Sequence, residues 1–428
     1  MRADVVVQLT DAAGATADRV GPKAATLARL RQAGIPVPDG FCLTADAYRV
    51  HLATAGVETT AREVALADPP DARRLAVALR LALLRAPLDP VIEEPLTVAW
   101  RRLVAMPDGL GAVRSSALVE DTSSASFAGQ FESFLGIASE ADFLTAVRAC
   151  WTSLWSTRAL RYLRAHAVDP AGTAMAVLAQ RLVEARAAGG ALSRTAKGLL
   201  LLTGAWGLGS VVAQGEVVPD RYLLGRDGSL RTVKPGRKVR RVLCTPEGGA
   251  VPEAVAAGLV EAPCLDPAQA VELGRLVLAV ESLLGAPVEV EWALGAEGLQ
   301  ILQARPLRVA AGQAPDELWR RQPGLTGQPA GLGWGSGPAC IVRDERDLER
   351  VEPGAVLVTR VAGPVLMAVL PRVAGVVAEL GGSSSHLAAL ARERGIPAVL
   401  GVPGATRRIP DGAAVAVDGV AGVVRWMR

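Results

Sequence analysis

Histidine and cysteine are scarce in this chain: 3 histidines (His51, His166, His386) and 5 cysteines (Cys42, Cys150, Cys244, Cys264, Cys340) in 428 residues. The cysteines are widely spaced, odd in number and form no Cys-x-x-Cys pair, which argues against a zinc site and a disulfide-stapled fold. Free thiols in a reducing, cytoplasmic compartment are expected. Long apolar runs are missing too. The greasiest stretch, Gly198 to Ala213, is broken by glycines and Trp206. It is too short to span a membrane and reads as a buried strand followed by a glycine-rich turn. The N-terminal residues lack the layered pattern of a signal peptide. Charge of one sign is also lacking: the net charge is +3 and the arginines are scattered, so neither nucleic acid nor a membrane is an expected partner. What is present is a globular composition, half apolar, in a chain long enough for two or three domains with substantial cores.

One stretch concentrates chemical signals. An apolar run, Val373 to Leu380, leads into Gly381-Gly382-Ser383-Ser384-Ser385-His386. A helical pattern follows, with Leu387, Leu390 and Ala391 on one side, and Gly395 and Pro397 close it. The serines stand where N-caps belong, so His386 falls in the first turn of a helix. Backbone N–H groups and the positive end of the helix dipole there suit a phosphoryl group. The glycines let a bulky anionic donor approach the imidazole. A lone histidine in such a turn is more often a plain polar residue, and the surrounding string has to decide.

Earlier segments add further signals. Lys23 opens a helical pattern after Gly21-Pro22, where proline suits the first helical position. Thr44 stands as a cap for a second helix, and residues 60–105 are helical in pattern without a motif. Between 111 and 135, Arg114 precedes a loop of small residues and hydroxyls that includes Gly129 and ends near Ser133. Such loops wrap phosphates with backbone N–H groups, and an arginine clamps them bidentately. Cys150 to Tyr162 reads as a helix whose aromatics pack inward, and Ala176 to Val183 as a strand with Gln180 and Leu182 at its end. Residues 285–307 read as a β-hairpin turning at Gly295–Gly298. Glu289 and Glu291 share one face of its first strand, Gln303 and Arg305 one face of its second. Two carboxylates and an amide suit Mg²⁺ and the arginine suits phosphate, although a cross-strand salt bridge is the commoner use of such pairs. The Gly-, Pro-, Ala- and Gln-rich residues 308–333 read as a linker, followed by a compact β/α pattern from Trp334.

Taken in order, these strings resemble the phosphoenolpyruvate-utilising dikinases, the family of phosphoenolpyruvate synthase, pyruvate phosphate dikinase and rifampin phosphotransferase. The resemblance rests on Gly-Gly-Ser-Ser-Ser-His386 with its Ala-Arg-Glu-Arg-Gly-Ile-Pro-Ala helix end, on Val113-Arg114-Ser-Ser…Glu120-Asp121…Ser126-Phe-Ala-Gly129-Gln, and on Glu289-Val-Glu291-Trp-Ala…Leu302-Gln303-Ala-Arg305-Pro. It implies an α/β (α+β) chain: an ATP-grasp-like ATP-binding domain over 1–310, a linker over 311–333, and a small swivelling β/β/α phosphohistidine domain over 334–428. It also implies roles. Lys23, Arg114, Gly129, Ser133 and Arg305 would contact the nucleotide, with Gln180 and Leu182 beside the adenine. Glu291, Gln303 and Glu289 would hold Mg²⁺, and His386 would carry the phosphoryl group.

Four places depart from the family pattern. Pro22 replaces a glycine, Ser133 a threonine and Glu289 an aspartate. The stretch Ala188 to Thr195 lacks the usual Gly-Val-x-Phe-Thr-x-x-Pro, so something near the nucleotide or near the docking surface of the mobile domain is trimmed. The implied activity is an ATP-dependent dikinase-type transfer, ATP going to AMP and phosphate, with His386 passing a phosphoryl group to a small-molecule acceptor. No acceptor module is recognisable. Three readings stay open: a complete small-molecule dikinase, one subunit of a split enzyme with the acceptor site on a partner chain, and a non-catalytic nucleotide-binding regulator.

Overall fold

Aspartate followed by proline starts three of the longer helices. Asp68, Asp89 and Asp266 are N-caps whose carboxylates accept from the backbone N–H of Asp71, Val91 and Gln269, with Pro69, Pro90 and Pro267 in the first turn. Asp266 and Gln269 complete a reciprocal capping box, and the helix they begin ends at Gly285 in the left-handed region. These are features of a computed structural model that describes residues 4–105, 109–120, 127, 129–245, 247–309, 319, 322–361 and 363–427. The chain divides into two compact units: residues 1–183, 244–251 and 300–305, and residues 184–243, 252–299 and 306–428.

The first unit is built on strands β1 (Val6–Gln8), β2 (Gly40–Leu43), β3 (Gly111–Ala117), β4 (Ser133–Ile137) and β5 (Met175–Arg181). They form one antiparallel sheet in the order β1-β2-β5-β3-β4. Its helices are α1 (Ala17–Gln32), α2 (Ala45–Thr54), α3 (Glu58–Leu66), α4 (Pro69–Arg85), α5 (Pro90–Leu103), α6 (Glu140–Ser153) and α7 (Thr157–Ala165). Residues 60–105, expected to be helical, hold α3, α4 and α5 with short breaks at 67–68 and 86–89. The helix expected over Cys150–Tyr162 is two helices, because Ser156 caps α7 by accepting from Ala159 N–H. Its aromatics do pack inward: Trp151 and Trp155 are buried, with the Trp155 indole donating to the Tyr48 hydroxyl at 2.9 Å. Thr44 is the N-cap residue of α2, but its hydroxyl makes no cap bond and is buried without a partner.

The second unit holds β6 (Ala187–Leu192), β7 (Leu200–Trp206), the short helix α8 (Ser210–Ala213), β8 (Asp220–Leu224) and β9 (Leu230–Lys234). Strands β10 (Arg240–Cys244) and β11 (Ala250–Ala254), helix α9 (Pro267–Leu284), β12 (Val288–Gly295) and β13 (Gly298–Pro306) come next in the chain. Within the unit, β12, β6, β7, β8 and β9 lie side by side and antiparallel. A fully buried ion pair braces this layer. Asp220 accepts from Lys238 Nζ at 2.5 Å and also takes the backbone N–H groups of Gly236 and Cys264.

The same unit contains a second, eight-stranded sheet. Its strands are β14 (Gly324–Thr326), β15 (Gln328–Pro329), β16 (Trp334–Val342), β17 (Val356–Thr359), β18 (Gly375–Ala378), β19 (Ala398–Leu400), β20 (Ala414–Asp418) and β21 (Val423–Trp426). The order is β14-β21-β20-β16-β17-β18-β19-β15, parallel from β16 to β19 and antiparallel elsewhere. Helices α10 (His386–Glu393) and α11 (Ala405–Arg408) accompany it, over a core that includes Ile341, Val358, Val377, Val399 and Val417. Residues 324–329, inside the stretch expected to be linker, are therefore strands. Proline is tolerated there because β15 is an edge strand. Of the expected linker, residues 310–318, 320 and 321 lie outside the described residues. Among the described residues no helix is long and apolar enough to cross a membrane.

Candidate functional site

In the first unit three of the expected nucleotide residues gather around one strand. Helix α1 is interrupted at Gly21, whose φ of 77° is left-handed, and Pro22 begins the helix proper. Gly21 lies against β3 so closely that a Cβ there would fall 2.4 Å from Ser116 Oγ and 2.6 Å from the Ser116 carbonyl oxygen. Lys23 is thereby pressed inward and is only 7% exposed. Its Nζ donates to the Ser115 carbonyl at 2.9 Å and to Glu120 Oε1 at 3.1 Å. Glu120, also buried, is held in turn by the Ala117 N–H at 2.9 Å. Next to Ser115, Arg114 sits across the ladder from Ser133 on β4 and Leu178 on β5. Lys23, Arg114 and Ser133 are thus gathered around the middle of β3.

Gly129 follows Phe127 on the loop between β3 and β4. Residues 121–126 and 128, which carry the rest of that motif, lie outside the described residues. Phe127 is buried, stacks on Phe131 with centroids 5.5 Å apart and packs on Tyr162 at 4.6 Å. Arg158 donates to the Gln130 carbonyl at 3.2 Å and to Glu132 at 3.1 Å. These contacts fix where the loop re-enters the sheet. At the end of β5, Gln180 is 2% exposed and lies opposite Gly40 and Ala112. Its side-chain Nε2 is buried without a hydrogen-bond partner, an unmet donor of the kind a heterocyclic acceptor satisfies. The Leu182 N–H donates to the Leu110 carbonyl at 2.8 Å. Gln303 and Arg305 stand two apart on β13 and are both half-buried.

In the second unit Glu289 and Glu291 share a face of β12, opposite Leu192 and Gly190 of β6. Glu291 is half-buried. Glu289 is buried and its Oε1 accepts from Arg392 Nη2 at 2.8 Å. Among the described residues no three His, Cys, Asp or Glu side chains cluster as a metal cage. The donor set still fits Mg²⁺, which is usually held by one or two carboxylates together with substrate phosphates and water.

His386 is the first residue of α10, and Ser385 is its N-cap, accepting from Ala388 N–H at 3.2 Å. The preceding residues are seated on the β6–β7 layer. Ser384 lies over Gly190, where a Cβ would fall 2.4 Å from Ser384 Cβ, and the Thr203 and Ser384 hydroxyls are 2.9 Å apart. The Gly381 N–H donates to the Val217 carbonyl, and Gly382 lies against Pro219. Arg392, on the same helix as His386, is buried and also donates to the Ser383 carbonyl at 2.5 Å. The stretch where the sequence departs from the family pattern thus begins within β6, and Gly190 in it lies where the histidine segment rests.

Sequence reasoning missed Glu120, Arg392 and Gly190. The first two lie inside quoted strings, Glu-Asp after Arg114 and Ala-Arg-Glu after His386, yet no spacing rule points from them to Lys23 or Glu289. The five cysteines are free, and burial pushes the Cys42 thiol up to about 12, so it is no thiolate nucleophile at neutral pH.

Mixed α/β layers thus bring Lys23, Arg114 and Ser133 of neighbouring elements together around β3, and a capped helix begins with His386. Residues 17–322 match the pyruvate phosphate dikinase AMP/ATP-binding domain, and residues 351–422 the mobile domain of PEP-utilising enzymes. The chain belongs to this dikinase family, and its N-terminal part is the portion that matches the AMP/ATP-binding domain. It is similar to phosphoenolpyruvate synthase of Escherichia coli K12, 34% identical over 94% of this chain and 54% of that protein. It is likewise similar to that of Aeropyrum pernix, 32% identical over 95% of this chain and 56% of that protein. The chain thus spans little more than half the length of these relatives.

Proposed function

We propose that this chain is an ATP-dependent phosphotransferase of the dikinase type that charges His386 and passes its phosphoryl group to a small-molecule acceptor. One observation carries the reading: the Gly-Gly-Ser-Ser-Ser-His386 segment is seated on β6 and β7, beside the strand face that carries Glu289 and Glu291. A His386 ring nitrogen attacks the β-phosphorus of ATP. The nitrogen–phosphorus bond forms as the bond from the bridging oxygen to that phosphorus breaks, and AMP leaves with the electron pair. The terminal phosphate then goes to water or inorganic phosphate, and the remaining phosphoryl group to the acceptor. Lys23, Arg114 and Arg305 offset phosphate charge, which is most of the catalytic task in phosphoryl transfer. Gly129 and Ser133 cradle the phosphates, while Gln180 and Leu182 border the adenine. Glu291 and Gln303 would hold Mg²⁺, joined by Glu289 once Arg392 withdraws; the ion supplies charge neutralisation between phosphates. The helix start supplies N–H groups and a favourable dipole to the charged histidine.

A second reading makes this chain a subunit whose acceptor site lies on a partner chain. The test shared by both readings is labelling with β-labelled ATP. Wild type should become labelled and release AMP, and His386→Ala should bind ATP without label. Equal labelling of the two would overturn the assignment. AMP release by the chain alone that continues through many turnovers once a small molecule is supplied separates the first reading from the second.

A further inference from the structure

The second unit contains a cavity of about 480 Å³ that, Arg392 apart, no residue of the proposed nucleotide chemistry lines. One wall comes from β6 to β9, with Leu192, Leu201, Arg221, Leu223 and Lys234. The other comes from Thr326, Gly327, Pro329 to Leu332 and the turn Gly419–Gly422 of the eight-stranded layer. Six cations line it (Arg194, Lys197, Arg221, Lys234, Arg308 and Arg392), and no carboxylate does. The charge of Arg392 is met by Glu289 and that of Arg194 by Glu281. Lys197, Arg221 and Lys234 have no carboxylate within ion-pair distance among the described residues. Arg221 is the deepest of the three: its Nε is buried without a hydrogen-bond partner. Burial lowers the pKa of that guanidinium, the signature of a cation placed where it lacks compensation. Beneath the cations lies an apolar floor in which Leu192, Leu201 and Leu307 pack together with Leu223.

Unpaired like charges around an apolar hollow repel one another unless an anion sits among them. The volume is that of a small-molecule pocket and is far too small for a polymer. Neither His386 nor any of Lys23, Arg114, Glu291, Gln303 and Arg305 lines it.

We propose that this cavity binds a small organic anion with two or more phosphate or carboxylate groups. The floor takes the carbon skeleton, and Arg221, Lys197 and Lys234 take the charges. Because its two walls belong to different layers of the unit, a bound anion bridges them and favours their seated arrangement.

The full chain, with its nucleotide site saturated by α,β-methylene-ATP, is titrated calorimetrically with inorganic pyrophosphate and, separately, with citrate. Saturable binding of either supports the site, and the arm that binds says whether phosphate or carboxylate is preferred. Lys197 and Lys234 are exposed at the rim, so Lys197→Gln/Lys234→Gln removes two charges without disturbing packing. It should weaken binding about a hundredfold, at roughly tenfold per lost ionic contact. Arg221→Gln, checked for native circular dichroism, should weaken it at least as much. Binding of neither probe, or equal binding by wild type and both variants, overturns the proposal. Labelling of His386 by ATP is a separate readout, so failure here leaves the proposed function standing.

Discussion

Gly190→Ala isolates the seating of the histidine segment. The added Cβ would fall 2.4 Å from Ser384 Cβ and 2.6 Å from Ser384 Oγ. Strand β6 cannot yield, because it is bonded on both sides, to β12 and to β7. Gly190 is not among the positive-φ glycines, so its backbone accepts alanine without strain. The clash therefore has to push Ser384 away, and with it the Thr203–Ser384 hydroxyl contact. Overpacking of this kind costs about 1–3 kcal/mol. Here the cost falls on the seated arrangement rather than on folding, which corresponds to a loss of about 5- to 150-fold in its population. Single-turnover transfer of label from β-labelled ATP to His386 should slow by that factor, with ATP binding unaltered. Ser384→Gly in the Gly190→Ala background removes the opposing atoms and should restore most of the rate. A Gly190→Ala enzyme that labels at the wild-type rate, or a double variant no faster than the single one, refutes the argument.

Three further outcomes are expected. Glu120→Ala leaves Lys23 buried against the Ser115 carbonyl without its carboxylate. It should cost about 3–5 kcal/mol in urea unfolding, as removing one partner of a buried pair does. Glu291→Ala should abolish the magnesium dependence of AMP formation along with most of the rate; wild-type metal dependence would place the ion elsewhere. His51 is buried, lies 4.8 Å from the Trp151 ring and has its pKa lowered chiefly by burial. A group lowered in the folded state takes up protons more readily unfolded. Its contribution is therefore present above about pH 6.5 and lost as pH falls below it. The melting temperature should drop between pH 7 and 5.5, and His51→Gln should flatten that slope.

Local signals carried much of this architecture. Glycine, proline and serine around His386 mark a helix start, and Ser385 is the residue that caps it. Valine-rich runs mark β17, β20 and β21 almost to the residue. Gly21-Pro22 marks the start of the helix bearing Lys23, because the two residues dictate opposite backbone angles. Other features were hidden for physical reasons. Composition suggested a linker through residues 324–329, but the bonds that make them strands go to β21 and β19, some 70 to 100 positions further on. Glu289 read as a metal ligand because its neighbours on the strand were visible. Its partner Arg392 lies 103 positions away and no periodicity connects them. Lys23 and Arg114 were picked out by resemblance, while Glu120 as the counter-charge of Lys23 emerged only from the packing of α1 on β3.

The Arg392–Glu289 pair has a consequence for reversibility. Removing two charges from water costs nearly what their attraction returns, so such a pair adds little net grip but penalises any misplaced pose in which one charge is left alone. The helix that begins with His386 therefore carries its own alignment key, six residues further along the same rod. Under the proposed phosphotransfer, a key that registers without gripping would let the histidine be parked in one orientation, loaded and released.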